Sequence, residues 1–232
     1  TTLFVSPVDS VWDGEGKSLA QWTAEFGVNQ TAFIADLPTV LAGYDRGNST
    51  LYTLSRWPIP AWSGPTDTAA LQGQLTAVRQ VKSQQELDLI RGVSVLSSAA
   101  HVVLMRSVRQ LQTEYEAEAV FLGQCYECEM RRSPYIPIVA SGYNSAILHY
   151  DEDSQDFPSP QAFLLVDAAA QFAGYSSDIT RTYPLNGIWT PDQRGVYQAV
   201  LDAQSAAAAV CKAGANYTSL TNAVRETLAD RL

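Results

Sequence analysis

The chain has 232 residues with 24 acidic and 15 basic side chains, a formal net charge of −9, and 46% apolar against 17% charged residues. That composition predicts a soluble globular protein with a real core, of one large domain or two ordinary ones. Without a cluster of Lys and Arg it argues against a nucleic-acid partner, and no apolar run approaches the roughly 18 residues of a membrane helix.

Residues 1–75 read as a patchwork of short segments. Leu3-Phe4-Val5 is a candidate strand, and Lys17 to Phe26 has helical spacing that stops at Gly27. Ala32 to Ala35 and Thr50 to Leu54 are further short apolar runs. Pro58, Pro60, Gly64 and Pro65 then mark a loop. Alternation of short strands and helices predicts an α/β domain, and the opening strand reads as already under way. Trp12, Trp22, Trp57 and Trp62 read as core or interface anchors.

The next stretch is helical. Ser83-Gln84-Gln85-Glu86 has the form of a capping box, followed by an amphipathic period to about Leu111. His101 on this helix reads as structural or exposed. Thr113-Glu114-Tyr115-Glu116 opens a second helix to about Arg132. Its Glu114, Glu116 and Glu118 read as a solvated first turn, because alternate residues on a helix point about 200° apart. Cys125 and Cys128 form a C-x-x-C with no second pair to complete a zinc site, so packing is the reading taken. Cys211 leaves the count odd, which does not suit a disulfide framework.

After Pro134 the pattern turns to strands. Ile136 to Ala140 leads into a turn at Ser141-Gly142-Tyr143-Asn144. Ala146-Ile147-Leu148-His149-Tyr150 is a further apolar segment, followed by the acidic loop Asp151 to Asp156. Phe163-Leu164-Leu165-Val166-Asp167 and Ser177 to Thr182 are two strand-like runs with one aspartate each. A hairpin centred near Phe172-Ala173 predicts Asp167 and Asp178 directly opposite each other, about 5 Å apart at Cβ and partly buried. Two carboxylates that close need a proton or a cation between them. The alternative is that one caps a turn while the other pairs with Arg181. Thr190-Pro191-Asp192-Gln193 then opens a helix to about Lys212, ending at Gly214. Its alanine run, Ala203 to Ala209, asks for a close neighbour. A last helix starts near Thr218 or Ser219 and shows no stop signal, so both ends read as cut.

Ser141-Gly142-x-Asn144-x-x-x-Leu148-His149-Tyr150, Leu165-Val166-Asp167-Ala168, Gly174-Tyr175-x-Ser177-Asp178-Ile179-Thr180-Arg181-Thr182-Tyr183-Pro184 and Gly187-x-x-Thr190 together resemble the pita-bread proline-specific peptidases. These are the Xaa-Pro aminopeptidases and the Xaa-Pro dipeptidases, or prolidases. The likeness also takes in Val81-Lys82-Ser83-x-x-Glu86-Leu87 and Thr2 to Trp12. The resemblance implies part of a smaller α/β (creatinase-like) N-terminal domain over 1–76 and the first part of a pita-bread α/β (α+β) catalytic domain over 77–232. It implies two divalent metal ions, manganese before zinc or cobalt, held by two aspartates, a histidine and two glutamates. Asp167 and Asp178 match the aspartates, and Asp178 would bridge the metals. His149 matches the histidine that steadies the tetrahedral intermediate. The remaining histidine and glutamates have no match: after Asp178 the chain has no histidine and only Glu226. Ala169 stands where the family usually has Gly.

The activity so implied is release of the residue ahead of a penultimate proline, with proline-containing peptides as partners and a homo-oligomer as a further expectation. Dipeptide cleavage, or a non-catalytic binding module on the same fold, are the alternatives. An isolated chain is expected to bind metal poorly and to aggregate. The resemblance leans to the cytosol, while sequons at Asn29, Asn48 and Asn216 leave secretion open.

Overall fold

The computed structural model describes residues 1–7, 16–44, 49–54 and 62–232. The chain forms two compact units, Thr1–Ser83 and Gln84–Leu232.

In the first unit β1 (Thr2–Val5) pairs in parallel with β2 (Gln30–Phe33), joined through α1 (Leu19–Phe26). Helix α1 has a complete capping box, Ser18 with Gln21, and stops at Gly27 in the left-handed region at φ +59°. Trp22 stacks on Phe26 one turn away at 5.6 Å between ring centroids. α2 (Leu37–Tyr44) follows, then the parallel pair β3 (Leu51–Tyr52) and β4 (Thr66–Asp67), then α3 (Ala69–Gln80). Trp62 closes the loop before β4 by donating its ring N–H to Pro65 O at 3.2 Å. Trp12, Trp57, Asn48 and the Pro58–Pro60 part of the expected loop lie outside the described residues.

The second unit opens with α4 (Gln84–Ser107), continued by a 3₁₀ turn to Gln110, and α5 (Glu114–Glu127). Spacing predicts α5 to run to about Arg132. It ends sooner because Glu129 takes a left-handed conformation, φ +62°, and the Cys128 N–H turns back to the Cys125 and Gln124 carbonyls.

Beyond α5 comes a three-stranded antiparallel sheet, β5 (Ile138–Ser141), β6 (Phe163–Asp167) and β9 (Thr180–Pro184), with β6 central. A short hairpin of β7 (Gln171–Phe172) and β8 (Tyr175–Ser176) projects from the same pair of chain runs. β6 alternates. Leu164 and Val166 are fully buried and pack with Val93, Leu104 and Phe121 of α4 and α5. Phe163, Leu165 and Asp167 point to the other face, where Leu165 packs with Ile138, Ala140 and Tyr150.

Residues 142–146 form a 3₁₀ helix and 147–150 are not a strand, so the apolar segment read before His149 is a loop. Ile147 and Leu148 are exposed there. Gly142, in the left-handed region at φ +53°, turns the chain away from β5.

α6 (Pro191–Val210) starts at Thr190, whose hydroxyl accepts from Gln193 N while Gln193 reaches back to the Thr190 N–H. α7 (Tyr217–Arg231) is capped by Asn216 and packs along α6, with Arg231 bonded to Asp202 at 2.7 Å. Ala203 of α6 is buried. Trp189 meets Phe163 and Tyr197 edge-on.

Among the described residues, the run Gln84–Gln110 is long and apolar enough to cross a membrane by length and composition, contrary to the expectation that no apolar run approaches that length. One side of it packs against the sheet. Val93, Ser97, Ala100, His101 and Leu104 are buried along one side.

Candidate metal centre

Asp167 is the last residue of β6, and Asp178 lies two residues before β9. They are not cross-strand partners. Asp167 faces Thr180, and the whole antiparallel pairing, from Phe163↔Pro184 to Phe172↔Tyr175, turns about Ala173-Gly174. The expected hairpin centre was one residue too early. Both turn residues have positive φ, +49° for Ala173 and +83° for Gly174, which suits the tight turn that favours right-twisted strands. The correction moves the partner by two residues, so the aspartates keep one face and become diagonal neighbours.

What brings them together is Tyr135, which the sequence reading did not single out. Its hydroxyl donates to Asp167 Oδ1 at 2.6 Å and lies 3.1 Å from Asp178 Oδ1. Burial pushes the phenol well above its ordinary pKa, and the Asp167 hydrogen bond and both carboxylate charges add to this. Asp167 is half-buried but Asp178 is exposed, against the expectation that both would be partly buried.

The segment between the aspartates is pinned by its backbone. His101 Nε2 bonds to Ala168 O at 2.9 Å, and Ser133 Oγ donates to Ala169 O at 3.2 Å. Ala170 N donates to Ser97 Oγ at 3.2 Å, and Ser177 Oγ lies 2.7 Å from the same atom. All three alanines are buried. His101 is therefore structural. It rests on Phe121 with ring centroids 4.9 Å apart, and burial pushes its pKa down, which keeps the ring neutral. Cys125 is a free, buried packing cysteine whose thiol is pushed up to about 11 by burial.

His149 stands exposed on the loop after the 3₁₀ turn and shares a cleft of about 400 Å³ with both aspartates. Tyr135, Ile136, Ile138, Tyr150 and Asp151 complete its lining. A second cleft of about 340 Å³, around Arg109, Phe157 and Leu185, offers one ionisable group, Arg109.

Glu114 corrects the reading of a solvated first turn. Glu116 is exposed, but Glu114 is fully buried and accepts hydrogen bonds from Ser141, Asn144, Tyr150 and Gln155. The donors lie 27 to 41 residues further along the chain, so no local pattern reveals them. Asp153 is also buried, with φ +44°, and accepts from Val139 N at 2.8 Å. Burial pushes its carboxyl up to about 6, the Val139 amide opposes this, and the Glu118, Glu114 and Asp151 charges reinforce it.

Two carboxylates converging on one hydroxyl at an open cleft are a hard oxygen donor set, which suits a divalent cation. Among the described residues no group of three or more His, Cys, Asp or Glu side chains comes together to hold one.

Residues 88–232 match the model of metallopeptidase family M24. The chain is 34% identical over 224 residues to a probable Xaa-Pro aminopeptidase of Fusarium vanettenii, covering 94% of this chain and 48% of that protein. A probable Xaa-Pro aminopeptidase of Talaromyces marneffei is 33% identical over 231 residues, covering 92% and 48%. The chain thus spans about half the length of the curated relatives it matches. Among solved structures, aminopeptidase P from Escherichia coli in its low-pH form superposes with a TM-score of 0.89 at 23% identity, over 100% of this chain and 57% of that one. The helices packed on an antiparallel sheet are those of the pita-bread fold, and the chain belongs to metallopeptidase family M24.

Proposed function

We propose that this chain supplies part of the centre of an Xaa-Pro aminopeptidase, which releases the N-terminal residue ahead of a penultimate proline. The observation that carries the reading is the convergence of Asp167 and Asp178 on Tyr135 in a cleft that His149 also lines.

Asp167 and Asp178 would hold divalent cations, manganese before zinc or cobalt. Bound there, such cations supply a Lewis acid for a peptide carbonyl and lower the pKa of a water to the working range. Tyr135 keeps both carboxylates turned to the cleft, the outer-shell role that ligand carboxylates need. His149 donates a hydrogen bond to the oxygen that becomes negative as the carbonyl is attacked. Ile136, Ile138 and the ring of Tyr150 give the cleft an apolar wall against which a proline ring packs.

Peptide hydrolysis with added Mn²⁺, by a protein that joins this chain to the histidine and two glutamates the resemblance implies, tests this. Cleavage of Xaa-Pro-Xaa tripeptides with sparing of Xaa-Pro dipeptides is the expected result. The reverse preference would make the protein a dipeptidase.

One observation favours a second reading. With two carboxylates converging and no group of three among the described residues, the chain would act without turnover as a binding module on the same fold. Proline-peptide binding with no Mn²⁺-dependent cleavage would select that reading.

A further inference from the structure

Glu114 opens α5 but serves a distant loop. Its Oε1 accepts from Ser141 N at 2.7 Å, Ser141 Oγ at 2.8 Å and Asn144 Nδ2 at 2.9 Å. Its Oε2 accepts from Tyr150 OH at 2.7 Å and Gln155 N at 3.1 Å. Its own backbone N–H donates to Gln155 O at 3.0 Å. Every one of these partners lies within residues 141–155, the segment that carries His149.

A carboxylate offers about four lone-pair sites. Five donors saturate it, and the group is fully buried. Burial alone would raise its pKa. The hydrogen bonds from Tyr150, Asn144 and Ser141 outweigh burial and hold it below the ordinary carboxylate range. The charge therefore persists inside the protein.

Asp153 adds one further anchor, to Val139 N. Between Asn144 and Tyr150 the loop is open: Ile147, Leu148 and His149 are exposed. Tyr150, directly after His149, is anchored at its hydroxyl by Glu114 while its ring lines the cleft.

We propose that Glu114 is a positioning residue: it fixes the start of the loop at Ser141, its end at Gln155, and Tyr150 between them, and so sets where His149 stands. The inference rests on the reading of His149 as the oxyanion donor, but its geometric content needs neither metal nor turnover. Loss of one anchor releases a one-residue lever, since His149 has only the Tyr150 peptide between it and the anchored ring.

The test uses the fact that the chain contains two histidines, His101 and His149. Imidazole nitrogen NMR of the 232-residue chain therefore holds two sets of resonances, and the buried His101 reports the state of the core. Two variants are compared with the parent. Glu114→Gln keeps the size but turns one acceptor oxygen into a donor. Asn144→Ala removes a single donor and leaves the carboxylate, so it serves if the first variant fails to fold. The expected result is that the His149 resonances shift and broaden while those of His101 stay. Amide-exchange protection of Ser141 and Gln155 is lost in Glu114→Gln. Asn144→Ala gives the same displacement of His149 at smaller amplitude. His149 resonances unchanged in both variants overturn the proposal, as does an equal displacement of His101 in both. Displacement of His149 would sustain the role of Glu114 even where a proline peptide binds without Mn²⁺-dependent cleavage, the result that overturns the peptidase reading instead.

Discussion

The Tyr135 hydroxyl stands 2.6 Å from Asp167 Oδ1 and makes the same contact, at 3.1 Å, with Asp178. One phenolic proton is thus set between two carboxylates that would otherwise repel. Tyr135→Phe keeps the ring and deletes that proton. A hydrogen bond to a charged group contributes about 1.5–3 kcal/mol, so the variant is expected to lose stability of that order at pH 7. Manganese affinity is expected to fall roughly 10–100-fold, as for other outer-shell partners of ligand carboxylates. Chemical denaturation and titration calorimetry with Mn²⁺ check the two effects separately.

His149 is exposed, so little packing depends on it. His149→Ala is expected to leave the melting temperature unchanged and to lower kcat on Xaa-Pro-Xaa peptides by roughly 10²–10³-fold, the cost of removing an oxyanion donor. Steady-state kinetics beside a thermal melt give both readings.

Asp153 yields a pH-dependent prediction. Its folded-state pKa is pushed from 3.8 up to about 6, so between those values the folded state holds more protons than the unfolded one. Stability from this group is present below about pH 4 and is lost as pH rises through 6. Asp153→Asn keeps an oxygen for the Val139 amide, removes the charge, and tolerates the left-handed backbone better. It is expected to stabilise the protein by roughly 1–3 kcal/mol at pH 7–8 and by little below about pH 4. Glu114 has the opposite sign: its pKa is depressed, so its contribution is present above about 4.5 and is lost as pH falls through the folded value. Urea melts from about pH 2.5 to pH 8 follow both.

Gly142 carries the third constraint on the His149 loop. Its φ is +53°, and a Cβ there would come within 2.7 Å of Pro158 Cγ. Gly142→Ala is expected to cost at least roughly 1–2 kcal/mol from backbone strain alone. Circular dichroism melts are the check, and an unchanged melt would mean that neither the left-handed backbone nor Pro158 resists the added methyl group.

Local rules recover much of this fold. Thr113 and Thr190 cap helices as their spacing predicts, and Gly27 ends one. These signals live within four residues of each other, which is why they are readable. The hairpin centre was misplaced because Ala173, a residue poorly suited to positive φ, occupies the first turn position. Tyr135 and Glu114 were hidden for another reason. Their partners lie 27 to 43 residues away, and only the sheet brings them together. A buried glutamate at the first turn of a helix looks in sequence like the solvated one two residues on. His149, Asp167 and Asp178 are singled out by the family motif, whereas alternation alone offers the aspartates two roles.

The outer edge of β5 has one more consequence. β5 has β6 on one side only, and the Val139 and Ser141 N–H groups that point away from β6 are taken by Asp153 and Glu114. An open strand edge ordinarily invites another strand to dock. Here both outward donors are already occupied by acidic side chains, so a foreign strand would find only carbonyl acceptors at Val139 and Ser141 along β5. On β9, by contrast, no acid among the described residues is bonded to a backbone N–H, and Pro184 removes one donor. The edge that still offers donors for strand pairing is therefore that of β9, over Thr180 to Thr182.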